Sequence, residues 1–159
     1  MSIKIKNISY KNTKDIRILE TVLTNWFKNP KELNLVDPRM SYPFSFKKWI
    51  ELSYKHSNVE SFAWEKDKLI IGIGNIKFNE ESKRAHALHI FTDPKYRNEG
   101  LGTKIIQYLE YLAKNKKMRS LTINVMPKNE AAKALYEKVG FQKVKTNKQK
   151  WEKMEKLIA

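Results

Sequence analysis

Tyr96-Arg97-Asn98-Glu99-Gly100-Leu101-Gly102-Thr103 places two of the chain's five glycines where an apolar strand gives way to an amphipathic helix. Upstream, Leu88-His89-Ile90-Phe91-Thr92 reads as a buried strand that stops at Asp93-Pro94. Downstream, Leu101, Ile105, Tyr108, Leu109 and Leu112 recur at helical spacing and define one apolar face. Glycine at 100 and 102 removes the Cβ atoms that would hold a ligand off the backbone. The first turn of the helix adds unpaired N–H groups at its positive dipole end. A phosphate or pyrophosphate is the natural occupant of such a turn.

A first strand near Ile3 to Ser9 leads to a helix from about Thr13 to Asn29, with Ile16, Leu19, Leu23, Trp26 and Phe27 on one face. Asn29-Pro30 is expected to end it, followed by a loop with Pro38, Pro43 and the aromatics Tyr42, Phe44 and Phe46. A short helix then carries Phe46, Trp49, Ile50 and Tyr54, with Ser45 as its cap. Strands at 61–64 and 69–76 make a hairpin about Lys66-Asp67, and another strand runs from Ala85 to Thr92. The helix after the glycine turn is expected to reach about Lys116. Leu121 to Val125 reads as a buried strand, and Asn129 to Val139 as a second amphipathic helix stopped by Gly140, with Ala132, Leu135, Tyr136 and Val139 inward. Phe141 to Thr146 reads as a strand, whereas Trp151, Met154 and Leu157 favour a helix by spacing and leave the last segment open. The order of elements points to a mixed α/β sheet with antiparallel pairs in its first half.

The 159 residues, 41% hydrophobic, suit one domain over 1–159 with a sizeable core. No run approaches the roughly 20 apolar residues of a membrane span, and the alternating N-terminus lacks a signal peptide's apolar block, so a cytoplasmic protein is expected. Absence of cysteine excludes disulfides, a cysteine nucleophile and thiolate metal ligation. The net charge of +15 is mostly lysine spread along the chain. It reads first as a compositional habit and second as a surface for nucleic acid or ribosomes.

Neither common phosphate loop is present. A P-loop needs Gly-Lys, which occurs nowhere in the chain, and Gly72-Ile73-Gly74 lies inside a strand without the third glycine of a dinucleotide fingerprint. Instead, Arg97-Asn98-Glu99-Gly100-Leu101-Gly102 resembles the Arg/Gln-x-x-Gly-x-Gly/Ala signature of the GNAT N-acetyltransferase superfamily, between strand and helix as that family places it. Further on, the stretch from Asn129 to Phe141 is similar to the family's Asn-x-x-Ala-x-x-x-Tyr-x-x-x-Gly-Phe, through Asn129, Ala132, Tyr136, Gly140 and Phe141. The clear match covers about Ala85 to Phe141.

The resemblance implies a mixed, mostly antiparallel sheet of six to seven strands flanked by about four helices. It further implies acetyl-CoA as co-substrate, no metal, a primary-amine acceptor and, as in many members, a homodimer as one option. Pantetheine would pair with the strand at Ile90, Phe91 and Thr92. Pyrophosphate would rest on the backbone of Asn98, Glu99, Gly100, Leu101, Gly102 and Thr103, helped by Arg97, Lys95, Lys104 or Lys133. Asn129, Ala132 and Tyr136 complete the set, with Asn129 readable equally as a helix cap.

Tyr136 is then the proton donor to the departing thiolate, against plain packing beside Leu135 and Val139. His86, eleven residues before Arg97, stands where many members put a base, against an ordinary polar strand position or a water as base. A regular strand would point His89 to the opposite face from His86, unless a bulge changes the parity. Gly72 and Gly74 bare one strand face, as a substrate floor or as room for a bulky helix residue. Tyr42, Phe44, Phe46, Trp49 and Trp26 line the acceptor entrance or fill the core. The rival reading is a non-catalytic module on the same fold, binding CoA, nucleic acid or ribosomes.

Overall fold

The computed structural model describes residues 2–144 and 151–158. Along the chain run β1 (Lys4–Ile8), α1 (Thr13–Trp26), α2 (Pro30–Val36), α3 (Phe46–Ser53), β2 (Val59–Lys66), β3 (Leu69–Asn79) and β4 (Arg84–Thr92). After a 3-10 turn at Pro94–Tyr96 come α4 (Leu101–Asn115), β5 (Ser120–Val125), α5 (Glu130–Lys138), β6 (Gln142–Val144) and β7 (Glu152–Leu157). The strands form one sheet in the order β1-β2-β3-β4-β5-β7-β6. Among the described residues, only β4 and β5 pair in parallel. Parallel neighbours need a crossover, and α4 is that crossover. The apolar stripe of α4 packs on one face of the sheet with α5, around Ile105, Leu109, Leu121, Ile123 and Tyr136. The other face carries α1, α2 and α3, through Leu19, Leu23, Leu33, Trp49, Ile73 and Phe91.

The first helix is shorter than its periodicity predicts. It ends at Trp26, and Asn29-Pro30 opens a further helix where a loop was expected: the Asn29 side chain accepts from the N–H groups of Lys31 and Glu32, with proline in the first turn. One dipeptide thus stops α1 and starts α2, because proline's fixed φ and missing N–H suit a first helical turn as well as a break. There are five α-helices among the described residues, one more than expected. The hairpin turn sits one residue later than predicted, at Asp67 and Lys68, both with positive φ. Ser45 caps α3 as its sequence position suggests, accepting from Lys48 N–H.

The open C-terminal segment is a strand. Glu152–Leu157 pairs antiparallel with β5, Met154 opposite Ile123, and Met154 is buried. An unsatisfied sheet edge outweighs a three-residue helical spacing. Of the strand expected over 141–146, β6 covers Gln142–Val144, and residues 145 and 146 lie outside the described residues.

Gly72 and Gly74 face α4, not a ligand. A Cβ on Gly74 would come within 2.7 Å of Ile105 Cγ2, and one on Gly72 within 3.1 Å of Ile105 Cδ1. They are bare so that α4 can lie close on β3. The aromatic group also turns inward: Trp26 and Trp49 are buried, Phe44 and Phe46 pack against the same cluster, and only Tyr42 stands in solvent.

Candidate active site

The ladder between β4 and β5 joins only Arg84–Ala87 to Ser120–Ile123. Beyond it β4 runs on to Thr92 and β5 to Val125 without pairing to each other, so the two strands splay. The cause lies in β4. Asn75 of β3 stands opposite Leu88 and Ile73 opposite Phe91, so β4 carries one residue more than its partner over this stretch. This is a bulge, and it holds His89 at φ 48. Asn75 Nδ2 donates to the carbonyls of Leu88 and His89 at 3.3 and 3.2 Å, fixing the bulge from beneath. Before it Ala85 and Ala87 face α4; after it Phe91 packs under α1 and α3. The parity change brings His86 and His89 to the same side of the sheet.

The splay opens a cleft of about 710 Å³ that runs from the glycine turn past β4 to the loop after α2. Its lining includes His86, Ile90, Phe91, Thr92, Arg97, Asn98, Gly100, Leu101, Gly102, Thr103, Asn129, Ala132 and Tyr136. Of the catalytic and cofactor-binding residues expected from the two motifs and the strand before them, Glu99 does not line it. Nor do the lysines at 95, 104 and 133; Lys133 instead pairs with Glu152 at 3.5 Å.

At one end of the cleft, Gly100 caps α4 in the left-handed conformation, φ 82, with no side-chain hydrogen bond. A Cβ there would meet nothing within 4 Å, so this glycine answers to its φ rather than to crowding. The other four α-helices are each capped by an asparagine or serine side chain, leaving α4 alone with its first N–H groups unpaired by a cap. Asn129 is one of those caps, accepting from Ala132 N–H at 3.2 Å. Arg97 does not aim its fork at the turn. It clasps both oxygens of Glu32 on α2, with Nη1 to Oε1 at 3.0 Å, and its Nε donates to the Thr92 carbonyl at 3.2 Å.

Tyr136 is buried and lines the cleft; burial pushes its phenol well above the usual range, so it stays protonated. On the opposite strand, His86 Nδ1 lies 2.7 Å from Thr122 Oγ1, which itself donates to the Ala85 carbonyl. His86 Nδ1 and Thr122 Oγ1 thus share one hydrogen bond, and Nε2 stands outside it. Burial, with Lys77 and Lys153 nearby, lowers the His86 imidazole to about 4, so it is neutral at pH 7.

The far end of the cleft holds residues that the sequence reading did not single out. Asp37 accepts from Arg39 Nε at 2.9 Å and Nη2 at 2.8 Å, and its Oδ2 lies 2.9 Å from His89 Nε2. Arg39 Nη2 also donates to Ser53 Oγ, and His89 Nδ1 meets the Tyr54 hydroxyl at 2.6 Å while its ring stacks on Trp49. The arginine and histidine hold the Asp37 carboxyl well below the usual range, against the opposing effect of burial. Asp37-Pro38-Arg39, an acid and a base around a proline, was a local signal for this pair. The Arg97–Glu32 clasp had none, since its partners lie 65 residues apart.

A family model for the Acetyltransferase (GNAT) family matches residues 21–141. The chain belongs to this family. Solved structures agree in fold over nearly the whole chain. A GNAT-family acetyltransferase from Staphylococcus aureus aligns with TM-score 0.74 at 13% identity, covering 99% of this chain and 100% of that one. The PaiA N-acetyltransferase of Thermoplasma acidophilum, solved with coenzyme A, aligns with TM-score 0.72 at 20% identity, covering 99% of each. The ribosomal-protein-S18-alanine N-acetyltransferase of Escherichia coli aligns with TM-score 0.70 at 18% identity, covering 99% and 95%. A search of curated protein sequences finds no match. This GNAT chain therefore shares its fold with these enzymes at identities too low to transfer a substrate. No helix among the described residues is long and apolar enough to cross a membrane.

Proposed function

We propose that this GNAT chain transfers an acetyl group from acetyl-CoA to a primary amine by direct attack within a ternary complex. The observation that carries the reading is the cleft between the splayed strands, with the uncapped N-terminus of α4 at one end and Tyr136 on its wall. The residues fit the cofactor: open space at Gly100 and unpaired N–H groups from Leu101 to Thr103 suit a pyrophosphate. The free edge of β4 from Ile90 to Thr92 suits an extended amide-bearing arm, added like a short strand. Acetyl-CoA supplies an acyl group already activated as a thioester.

The chain's own residues do the rest. Backbone N–H groups on the free edge of β4 polarise the thioester carbonyl. Tyr136, protonated throughout the neutral range, gives its proton to the departing sulfur as the C–S bond breaks, and the proton that the new amide nitrogen sheds returns to it through water. A histidine held near 4 is too weak a base to store a proton from an ammonium near 10. His86 therefore accepts a hydrogen bond at Nε2 and orients the amine, which arrives as its neutral fraction or loses its proton to water. Arg97 joins α2 to the glycine turn and shapes the cleft without facing the phosphates. The chain has no cysteine, so no thiol can carry the acetyl group between the two substrates.

The test follows CoA release over a panel of amines, beside calorimetric binding of acetyl-CoA. Binding with amine-dependent release supports the reading. No binding, or release that no amine accelerates, refutes it.

A further inference from the structure

The ionisable side chains on the cleft wall leave no free negative charge. Glu32 gives both oxygens to Arg97. Asp37 gives Oδ1 to the Arg39 backbone N–H and Nε, and Oδ2 to Arg39 Nη2 and His89 Nε2. Its side chain is only 5% exposed. By contrast the Arg39 side chain is 42% exposed, and its Nη1 has no partner among the described residues. Lys77 and Lys138 also line the cleft and enter no ion pair among the described residues. A polyamine or other multiply cationic acceptor would find no carboxylate here to answer its second charge.

We infer that the acceptor amine carries an anionic group, a carboxylate or a phosphate, and that Arg39 reads it. This rests on the acetyltransferase reading of the same cleft. Arg39 lies across the cleft from the glycine turn, on the loop between α2 and α3, on the side of the sheet where His86 stands. Asp37 and Ser53 lock its fork, so an anion that docks on the open Nη1 edge orders little that was free before. Asp37 cancels the arginine's charge at a distance. Recognition is therefore short-range, a charge-assisted hydrogen bond at Nη1.

The experiment uses the full chain loaded with CoA. Calorimetry compares N-acetyl amino acids with their carboxamides, and N-acetyl aminoalkyl phosphates with the matching alcohols; kcat/KM is measured for the corresponding free amines. The acidic member of one pair is expected to bind about 10-fold or more tightly than its neutral counterpart, as a charged hydrogen bond provides. Which pair discriminates tells carboxylate from phosphate. In Arg39→Gln the ratio falls to about one. Arg39→Lys, which keeps the charge and loses the fork, retains part of it and serves if the glutamine variant fails to fold.

Equal binding of acid and neutral partner in the unaltered protein would overturn the inference. So would a ratio unmoved by both substitutions, or tighter binding of spermidine than of any acid. Discrimination in binding with no turnover removes the acetyltransferase reading and leaves the anion site standing. Turnover of neutral and cationic amines without preference does the reverse.

Discussion

His86 ties the fold to the pH dependence of the protein, and its effect can be worked out in advance. The imidazole is buried against Thr122 and lowered from an ordinary 6.5 to about 4. A histidine depressed in the folded state binds its proton more readily when unfolded, so its stabilising contribution is complete above 6.5 and is lost as pH falls toward 4. With these two values, linkage predicts that His86 alone withdraws about 2 to 3 kcal/mol of stability between pH 7.5 and about pH 4.5. The perturbation is His86→Gln, which is neutral throughout and can still hydrogen-bond Thr122. Urea unfolding of both proteins across this range isolates the term, because Asp37 and His89 contribute equally to each. Stability of the unaltered protein should fall toward that of the variant, or below it, by the stated amount on acidification. Parallel curves would show that His86 titrates normally and that its burial has no electrostatic consequence. The same shift predicts a kcat/KM that climbs with pH toward the amine's own pKa, with no break near 6.5. A break there would restore His86 as a general base.

Tyr136→Phe should lower kcat by about 100-fold or more, the usual loss of a general acid, with acetyl-CoA affinity by calorimetry nearly unchanged; wild-type turnover would remove the phenol from the reaction. Gly74→Ala should destabilise by about 1–3 kcal/mol in urea unfolding, since its Cβ would lie 2.7 Å from Ile105 Cγ2. The double change Gly74→Ala with Ile105→Ala should restore part of the overpacking component of that loss, beyond the additive sum of the two single changes, and strict additivity would deny the clash. Asp37→Asn should cost about 2–3 kcal/mol, below the loss typical of a fully buried pair because Arg39 is partly in solvent. Since the folded carboxyl is held low, its contribution is present at neutral pH and is lost below about pH 4, so the variant should show a flatter acid limb of stability.

How far the site could be read in advance depended on whether its cause was local. The glycine turn and the helix after it are local: Gly100 needs its φ, and the apolar stripe of α4 exists to cover the sheet. The cap at Asn129, the stop at Gly140 and the strand before the turn are equally short-range, and all were legible. Gly72 and Gly74 were legible as a bare face but not as to what covers it, because Ile105 arrives from 31 residues away. Tyr136 could be placed on the inward face of its helix, yet only the neighbours that bury it hold its proton in place.

The α/β class, the glycine turn and the cleft-wall residues around it could be read from the sequence alone, because helical and strand periodicity and a two-glycine turn act within a few residues, and the family followed from the two motifs at 97–102 and 129–141. Tertiary structure alone decided that β4 bulges at His89 and splays from β5, and that Asn29-Pro30 begins a helix. It also decided that residues 152–157 form a strand, that Arg97 spends its fork on Glu32, and that His89 meets Asp37. Those outcomes turn on which sheet edges remain unpaired and which charges meet after the chain has closed on itself, and such partners are chosen across distances that no local pattern encodes.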